Sequence, residues 1–332
     1  MTIADKFDSV TSEPYPRIGV GTWSWGNQLI WGYNTSQDGQ LEACFRRALE
    51  LGLCFFDTAD SYGTGRLNGR SELLLGSFCA ALPELQRRPI TVATKLAPFP
   101  WRIGRRGFTK AFAASYRRLQ GKLDRVQLHW STARYVPWQE TPLLEGLADL
   151  VQQGLVGEMG VSNMGPCRIQ EVHRHLSARG INLRSVQIQM SLLSPEAIRS
   201  QGIASLCAAL GIELIAYSPL ALGLLGRWPG ESTSFPPGIR GLVFRRLWPK
   251  IQPILHGIAK IATERRVEPA AVALNWCRSH GAVPIVGMRN PYQAEMAAAA
   301  LGWQLNRTER VMLDQLALST SARMPINPFQ SP

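Results

Sequence analysis

Two carboxylates and a phenol follow directly on an apolar run in Phe55-Phe56-Asp57-Thr58-Ala59-Asp60-Ser61-Tyr62-Gly63. Leu53 to Phe56 reads as a short buried strand and Gly63-Thr64-Gly65 as loop, so Asp57 and Tyr62 fall at and just beyond the carboxyl end of that strand. Closed parallel barrels gather their catalytic groups at that end. A loop Asp also serves to cap a helix, here one beginning near Ser71, and this segment alone leaves both uses open. The same pattern recurs downstream. Ile90-Thr91-Val92-Ala93-Thr94-Lys95 is β-rich and ends in a lysine, and Arg125-Val126-Gln127-Leu128-His129 ends in a histidine. Parallel strands would deliver Asp57, Tyr62, Lys95 and His129 to one end of the sheet as an acid–base set. A phenol titrates near pH ~10 and is a poor proton donor at neutrality unless a neighbouring cation lowers it. Lys95 is expected to supply that charge, Asp57 to hold the lysine by an ion pair, and His129 to orient a carbonyl oxygen.

The elements that must position these groups alternate regularly. A first strand at 18–25 leads to a helix at 38–51, a strand at 53–57, a helix at 71–80 and a strand at 90–95. The alternation continues with a helix at 109–120, strand 125–129, helix 142–153, strand 156–161, helix 166–178, strand 185–189, helix 201–209 and strand 212–217. Two helical stretches at 250–265 and 269–279 precede a strand at 283–286 and helices at 291–299 and 308–317. Eight strands alternating with helices predict a closed (β/α)8 TIM barrel with extra C-terminal helices, rather than an open doubly wound sheet. Residues 1–17 read as a lead-in, 18–318 as a single barrel domain and 319–332 as a tail. The longest break in pattern, Pro219 to Pro249 after the seventh strand, reads as a long functional loop.

Composition sets the outer limits. A hydrophobic fraction of 45% and a charged fraction of 18% over 332 residues suit a globular enzyme. No apolar run reaches the ~18 residues that a membrane span needs. The amino terminus has neither a signal-peptide core nor the arginines of a transit peptide. Six cysteines without CxxC pairing suggest reduced thiols, and the expected location is the cytoplasm. The net charge of +12 raises nucleic acid as a partner, but the arginines are dispersed in pairs with no basic tract, so none is expected. His173 and His175 point to different helix faces, and no residues have metal-ligand spacing.

The order and spacing of Asp57, Tyr62, Lys95 and His129 resemble the tetrad of the aldo-keto reductases, and the likeness runs from Gly19-Val20-Gly21-Thr22-Trp23 to Leu301-Gly302-Trp303. Gly21-Thr22-Trp23-Ser24-Trp25-Gly26-Asn27-Gln28, Lys95-Leu96-Ala97-Pro98-Phe99-Pro100-Trp101-Arg102 and Gln127-Leu128-His129-Trp130-Ser131-Thr132 look most like the plant and cyanobacterial pyridoxal reductase branch. The resemblance implies reduction of a small-molecule carbonyl by NADPH with Tyr62 as general acid, and a monomer is expected. It implies that Ser162, Asn163 and Gln187 bind the nicotinamide carboxamide, that Tyr217 stacks on its ring, and that Ser218, Leu220 and Gly223 cradle the pyrophosphate. Thr22 joins the cofactor site on the same basis.

A hydride source is required in any case, since no side chain supplies one. A Rossmann fingerprint is not the means: Gly63, Gly65 and Gly69 miss it because Asn68 stands where glycine is needed. After the eighth strand, Gly287, Arg289 and Gln293 run into a helix amino terminus suited to phosphate, and Arg289 can pair with a 2'-phosphate, favouring NADPH over NADH. Met296-Ala297 depart from the family's adenine-contacting Glu and Asn. Tryptophans follow strands one, three and four, and Trp25, Trp31, Trp101 and Trp130 are expected to wall a pocket for a flat aromatic aldehyde such as pyridoxal. A broad-specificity aldehyde reductase and an NADPH-binding regulatory subunit of the same fold remain open beside it.

Overall fold

In a computed structural model, eight parallel strands pair in sequence order and close, β8 lying against β1. They are β1 Gly19–Gly21, β2 Phe55–Asp57, β3 Thr91–Leu96, β4 Arg125–Leu128, β5 Glu158–Ser162, β6 Leu183–Gln189, β7 Glu213–Tyr217 and β8 Ala282–Gly287. The structure describes residues 17–231, 234–325, 327, 328, 330 and 331, so residues 1–16 of the expected lead-in lie outside it.

Side chains alternate across each strand, and inward positions stack into layers. Phe55, Ala93, Ile215, Val283 and Ile285 form an apolar layer inside the barrel. At its amino-terminal end the Arg125 guanidinium, 1% exposed, donates to Glu158 at 2.8 Å and to Glu213 at 2.5 Å. Outward positions such as Val20, Phe56, Val92, Val126 and Val186 are buried with the surrounding helices in a second, larger core. The carboxyl end is left for polar groups: Asp57 pairs with Ala93 across β2–β3, Lys95 with Gln127 across β3–β4, and Ser162 with Gln187 across β5–β6.

Several boundaries differ from expectation, each for a local reason. The first strand stops at Gly21 because the chain turns: Thr22 N donates to the Asp57 carbonyl and Trp25 N to the Thr22 carbonyl. The helix expected at 142–153 begins at Pro137, where proline suits the first turn, and its Glu140 carboxylate accepts from Thr132 N at 2.7 Å, so it reaches five residues further back than the apolar periodicity marked. The break from Pro219 to Pro249 is not structureless. It contains a helix at Gly238–Leu247, which Pro237 precedes, and Phe235 packs there against Phe244 and Trp248.

Candidate active site

Asp57 ends β2 at 1% exposure, and its Oδ2 accepts from Lys95 Nζ, itself 1% exposed on β3. Lys95 also donates to the Thr58 carbonyl at 2.7 Å. Asp57 Oδ1 accepts from Gln187 Nε2 at 2.8 Å and from Gln127 Nε2 at 3.3 Å. An ion pair this deep costs desolvation on both sides and persists because amide donors surround it. Asp57 is therefore not a helix cap: the helix Arg70–Ala80 starts at Gly69 with no side-chain capping bond.

Tyr62 stands partly exposed at the mouth, in a turn closed by Tyr62 N donating to the Ala59 carbonyl and Gly69 N donating to its own. Lys95 Nζ is 4.8 Å from the centre of its ring, and the His129 ring centre 5.8 Å away at 72°. Burial raises the phenol above its ordinary value, and although Lys95 pulls it down, burial wins. The expected net lowering by Lys95 is thus corrected: the cation offsets part of the burial cost, and Asp57 works against it. Burial would pull the Lys95 ammonium down, but Asp57 and Tyr62 hold it above its usual range, so it stays charged. Burial, then the charges of Lys95 and Arg102, hold His129 well below its usual range, leaving a neutral imidazole at the mouth. The structure therefore brings all four residues together.

The remaining strand ends divide. Asn163 adopts a left-handed conformation (φ 59°), which asparagine tolerates, and its Oδ1 accepts from the Tyr217 hydroxyl at 2.8 Å. Its Nδ2 donates to Ser162 Oγ at 3.1 Å, and all three residues meet at the mouth. Gln187 is drawn to Asp57, as above. Thr22 is fully buried, and its hydroxyl donates to the Asp57 carbonyl, so it supports the site from behind rather than lining a cofactor cleft. The tail contributes unexpectedly: Asn327 Nδ2 donates to Asn163 Oδ1 and to the Tyr217 hydroxyl, each at 3.1 Å.

Beyond β7 the backbone is strained. Ser218, Ala221 and Leu222 have φ of 53°, 48° and 61°, followed by Gly223 at 102°, a run that L side chains rarely adopt and that the 218–223 segment, including Leu220, holds in place. Arg240, from the helix inside the long connection, reaches back to donate to the Leu222 carbonyl at 3.1 Å, with Nη2 3.6 Å from where a Cβ on Gly223 would lie. Arg289 comes from the other side, donating to the Trp31 carbonyl at 2.9 Å. Both guanidiniums lie over the Trp31 ring, at 4.5 Å and 5.4 Å, and neither has a carboxylate partner among the described residues. Burial lowers both, and Arg240 is lowered further by Arg289 and Arg227. Half-buried cations that repel one another beside a strained glycine turn suit an anionic, phosphorylated cofactor. Gly287 ends β8 exposed, and Gln293 braces the turn, its Oε1 accepting from Arg289 N at 2.7 Å.

The aromatic wall is smaller than expected. Trp25 is fully buried, its Nε1 donating to the Met288 carbonyl at 2.8 Å and its ring against Phe78, so it is core and not pocket. Trp31 belongs to the two arginines. Trp101, 73% exposed, stacks on Phe99 at 4.7 Å; Phe99 meets Trp130 at 5.9 Å, and Trp130 meets His129 at 4.9 Å. Tyr135 accepts from Trp130 Nε1 and donates to the Pro98 carbonyl, pinning this wall. Gln127, Phe99 and Arg240 are site residues beyond those expected from the sequence, whereas Tyr135 lies in the loop after His129, Trp130 to Thr141, an expected pocket wall. The first had a signal, since Arg125, Gln127 and His129 alternate inward on one strand. Among the described residues no group of three or more side chains could hold a metal ion.

A closed (β/α)8 barrel with a phenol, a lysine–carboxylate pair and a neutral imidazole at its carboxyl end defines an acid–base enzyme of that architecture. The sequence model of the Aldo/keto reductase family matches residues 17–317. The chain is 46% identical to the chloroplastic pyridoxal reductase of Arabidopsis thaliana over 95% of its length and 86% of that relative. Among solved structures it resembles an aldo/keto reductase of Klebsiella pneumoniae in complex with NADP and acetate, with a TM-score of 0.70, 26% identity and coverage of 94% and 95% of the two chains. An NADPH complex of an aldo-keto reductase from that organism gives 0.68, 26%, 95% and 93%. The chain belongs to the aldo/keto reductase family and is an oxidoreductase. None of its helices is long and apolar enough to cross a membrane among the described residues.

Proposed function

We propose that the chain reduces an aldehyde to an alcohol with NADPH, and that the aldehyde is pyridoxal, giving pyridoxine. The observation that carries the reaction is the Tyr62 phenol set over the buried Lys95–Asp57 pair beside a neutral His129. What NADPH supplies when bound is hydride. Arg240, Arg289 and the 218–223 turn would hold its phosphates, and Ser162, Asn163 and Tyr217 its nicotinamide end, with Gln187 nearby. Tyr62 hands its proton to the carbonyl oxygen as negative charge develops there, and Lys95, fixed by Asp57, stabilises the phenolate left behind. His129 orients the same oxygen by hydrogen bonding. The Phe99, Trp101 and Trp130 rings would stack a flat heteroaromatic ring, and the 46% identity to the plant pyridoxal reductase supports pyridoxal as that ring.

The same reading takes residues 18–318 as one catalytic domain acting as a monomer in the cytoplasm. Six free thiols support a reducing compartment. The test is NADPH oxidation with pyridoxal beside a panel of simple aldehydes, with Tyr62→Phe as control. Pyridoxal should give the highest kcat/KM, and Tyr62→Phe should lose on the order of 10²–10⁴-fold in kcat while binding NADPH as before. Better turnover of other aldehydes would refute pyridoxal alone; full activity in Tyr62→Phe would refute the site.

A further inference from the structure

The imidazole of His129 is held through its backbone and between two ring neighbours. Its backbone N–H donates to the Leu96 carbonyl at 3.1 Å, its carbonyl accepts from Asn163 Nδ2 at 3.0 Å, and its ring packs between Trp130 and Tyr62. Packing therefore fixes the ring's place, and what is left to decide is which nitrogen carries the proton. A neutral imidazole has one N–H. Ser61 Oγ lies 3.2 Å from Nδ1 and has no other side-chain partner among the described residues.

Two arrangements satisfy that contact, with opposite chemistry. With the proton on Nδ1, the ring donates to Ser61 and Nε2 turns a lone pair toward the lone pairs of a substrate carbonyl. With the Ser61 hydroxyl donating to Nδ1, the ring proton sits on Nε2, where it can donate to that oxygen. The Ser61 backbone is held in place for this contact in either arrangement, and the need of a carbonyl oxygen for a donor selects the second. Asp60 before it is anchored by its N–H to the Lys95 carbonyl, by Ala97 N on Oδ1 at 3.2 Å, and by Arg102 on Oδ2, while Tyr62 after it closes the turn onto Ala59.

We propose that Ser61 is a positioning residue for carbonyl reduction, its hydroxyl donating to His129 Nδ1 and so holding the ring in the Nε2–H form that directs the substrate oxygen. The proposal rests on the reading of this site as a carbonyl reductase. Ser61 touches neither substrate nor cofactor in this role; it acts through the imidazole. Its place in the turn one residue before Tyr62 couples the orienting group and the acid: one short segment sets both.

The test is nitrogen-15 NMR of the imidazoles in the full chain, with the His129 signals assigned by their loss in His129→Gln; five histidines keep the spectrum simple. The wild type should show His129 protonated on Nε2. In Ser61→Ala the Nδ1–H form should appear, and kcat should fall about tenfold, the loss expected for one hydrogen bond, with NADPH affinity unchanged. Ser61→Thr keeps the hydroxyl and should restore both the tautomer and most of kcat. A wild-type ring protonated on Nδ1 overturns the proposal without any variant. An unchanged tautomer in Ser61→Ala overturns it too, even where kcat falls, since a merely structural role would lower activity without moving the proton. The tautomer is read without substrate, so an absence of aldehyde turnover would refute the carbonyl-reductase reading separately.

Discussion

Replacing Lys95 with methionine separates the two jobs the lysine is given. Methionine fills a similar volume, so the change removes charge rather than packing. The Asp57 carboxylate, 1% exposed, then keeps only the two glutamine amides. Stranding one member of a buried ion pair costs about 3–5 kcal/mol. The phenolate suffers as well: across the 4.8 Å from Nζ to the Tyr62 ring, a unit charge at an effective dielectric of 20 is worth about 332/(20 × 4.8), or roughly 3.5 kcal/mol. Asp57 opposes part of this in the wild type, while the phenol oxygen, hydrogen-bonded to Lys95, carries the charge closer than the ring centre, so about 2.5 pK units sets the scale of the lost stabilisation. Urea unfolding should show the stability loss, and turnover should fall by two orders of magnitude or more, as expected for about 3 kcal/mol of transition-state stabilisation. The double variant Lys95→Met with Asp57→Leu removes the stranded charge, and should regain most of the stability while regaining none of the activity. A single variant as stable as wild type, or a double variant that turns substrate over, would refute the argument.

Four further outcomes follow from the same geometry. Because burial holds the Tyr62 phenol above its ordinary value, it stays protonated through neutrality, so the reduction rate should be level from neutral pH to the usual phenol range and fall only above it; a rate that already drops as pH rises from neutral to mildly alkaline would contradict the acid assignment. Arg289→Ala removes a cation with no carboxylate partner among the described residues and should weaken NADPH binding by about 10–100-fold, the value of one charge-assisted bond, with less effect on NADH, as read by quenching of tryptophan fluorescence. Arg240→Ala should weaken both dinucleotides, since its guanidinium lies against the Gly223 turn. Trp25→Phe strands the Met288 carbonyl and should cost about 1–3 kcal/mol of stability with KM for the aldehyde unchanged; a rise in KM would return Trp25 to the pocket.

Legibility followed how local each cause is. The barrel and the meeting of Asp57, Tyr62, Lys95 and His129 could be read because period-2 strands end in the reactive residue itself, so position along the chain already encodes position at the mouth. Trp25 could not, because its role depends on where the chain turns after Gly21, and that turn is made by a bond to Asp57, distant in sequence. Arg240 was hidden for a similar reason: Pro236, Pro237 and nearby glycines read as loop, whereas the helix after them is stabilised by the packing of Phe235, Phe244 and Trp248. The sign of the Tyr62 shift is not legible in sequence, where a cation's pull shows and burial does not.

The cations of this chain, whose net charge is +12, sort by the partners they are given. Many arginines sit in ion pairs, which leave the net charge unchanged but fix these cations in place: Arg125 with Glu158 and Glu213 at the barrel floor, Arg118 with Glu72, Arg168 with Glu140 and Arg105 with Asp149. At the site the sorting is sharper. Lys95, which must stabilise a transient phenolate, is given a carboxylate that fixes it and restrains its field. Arg240 and Arg289 are given none among the described residues, and the Trp31 ring under both supplies a face that binds a cation without neutralising it. A permanent acid there would compete with a phosphate, whereas an indole does not. Exchanging Trp31 for glutamate should therefore hold both arginines in place and still weaken NADPH binding, while exchange for phenylalanine should preserve it. Equal affinity in the glutamate variant would show that these cations do not meet the cofactor's phosphates.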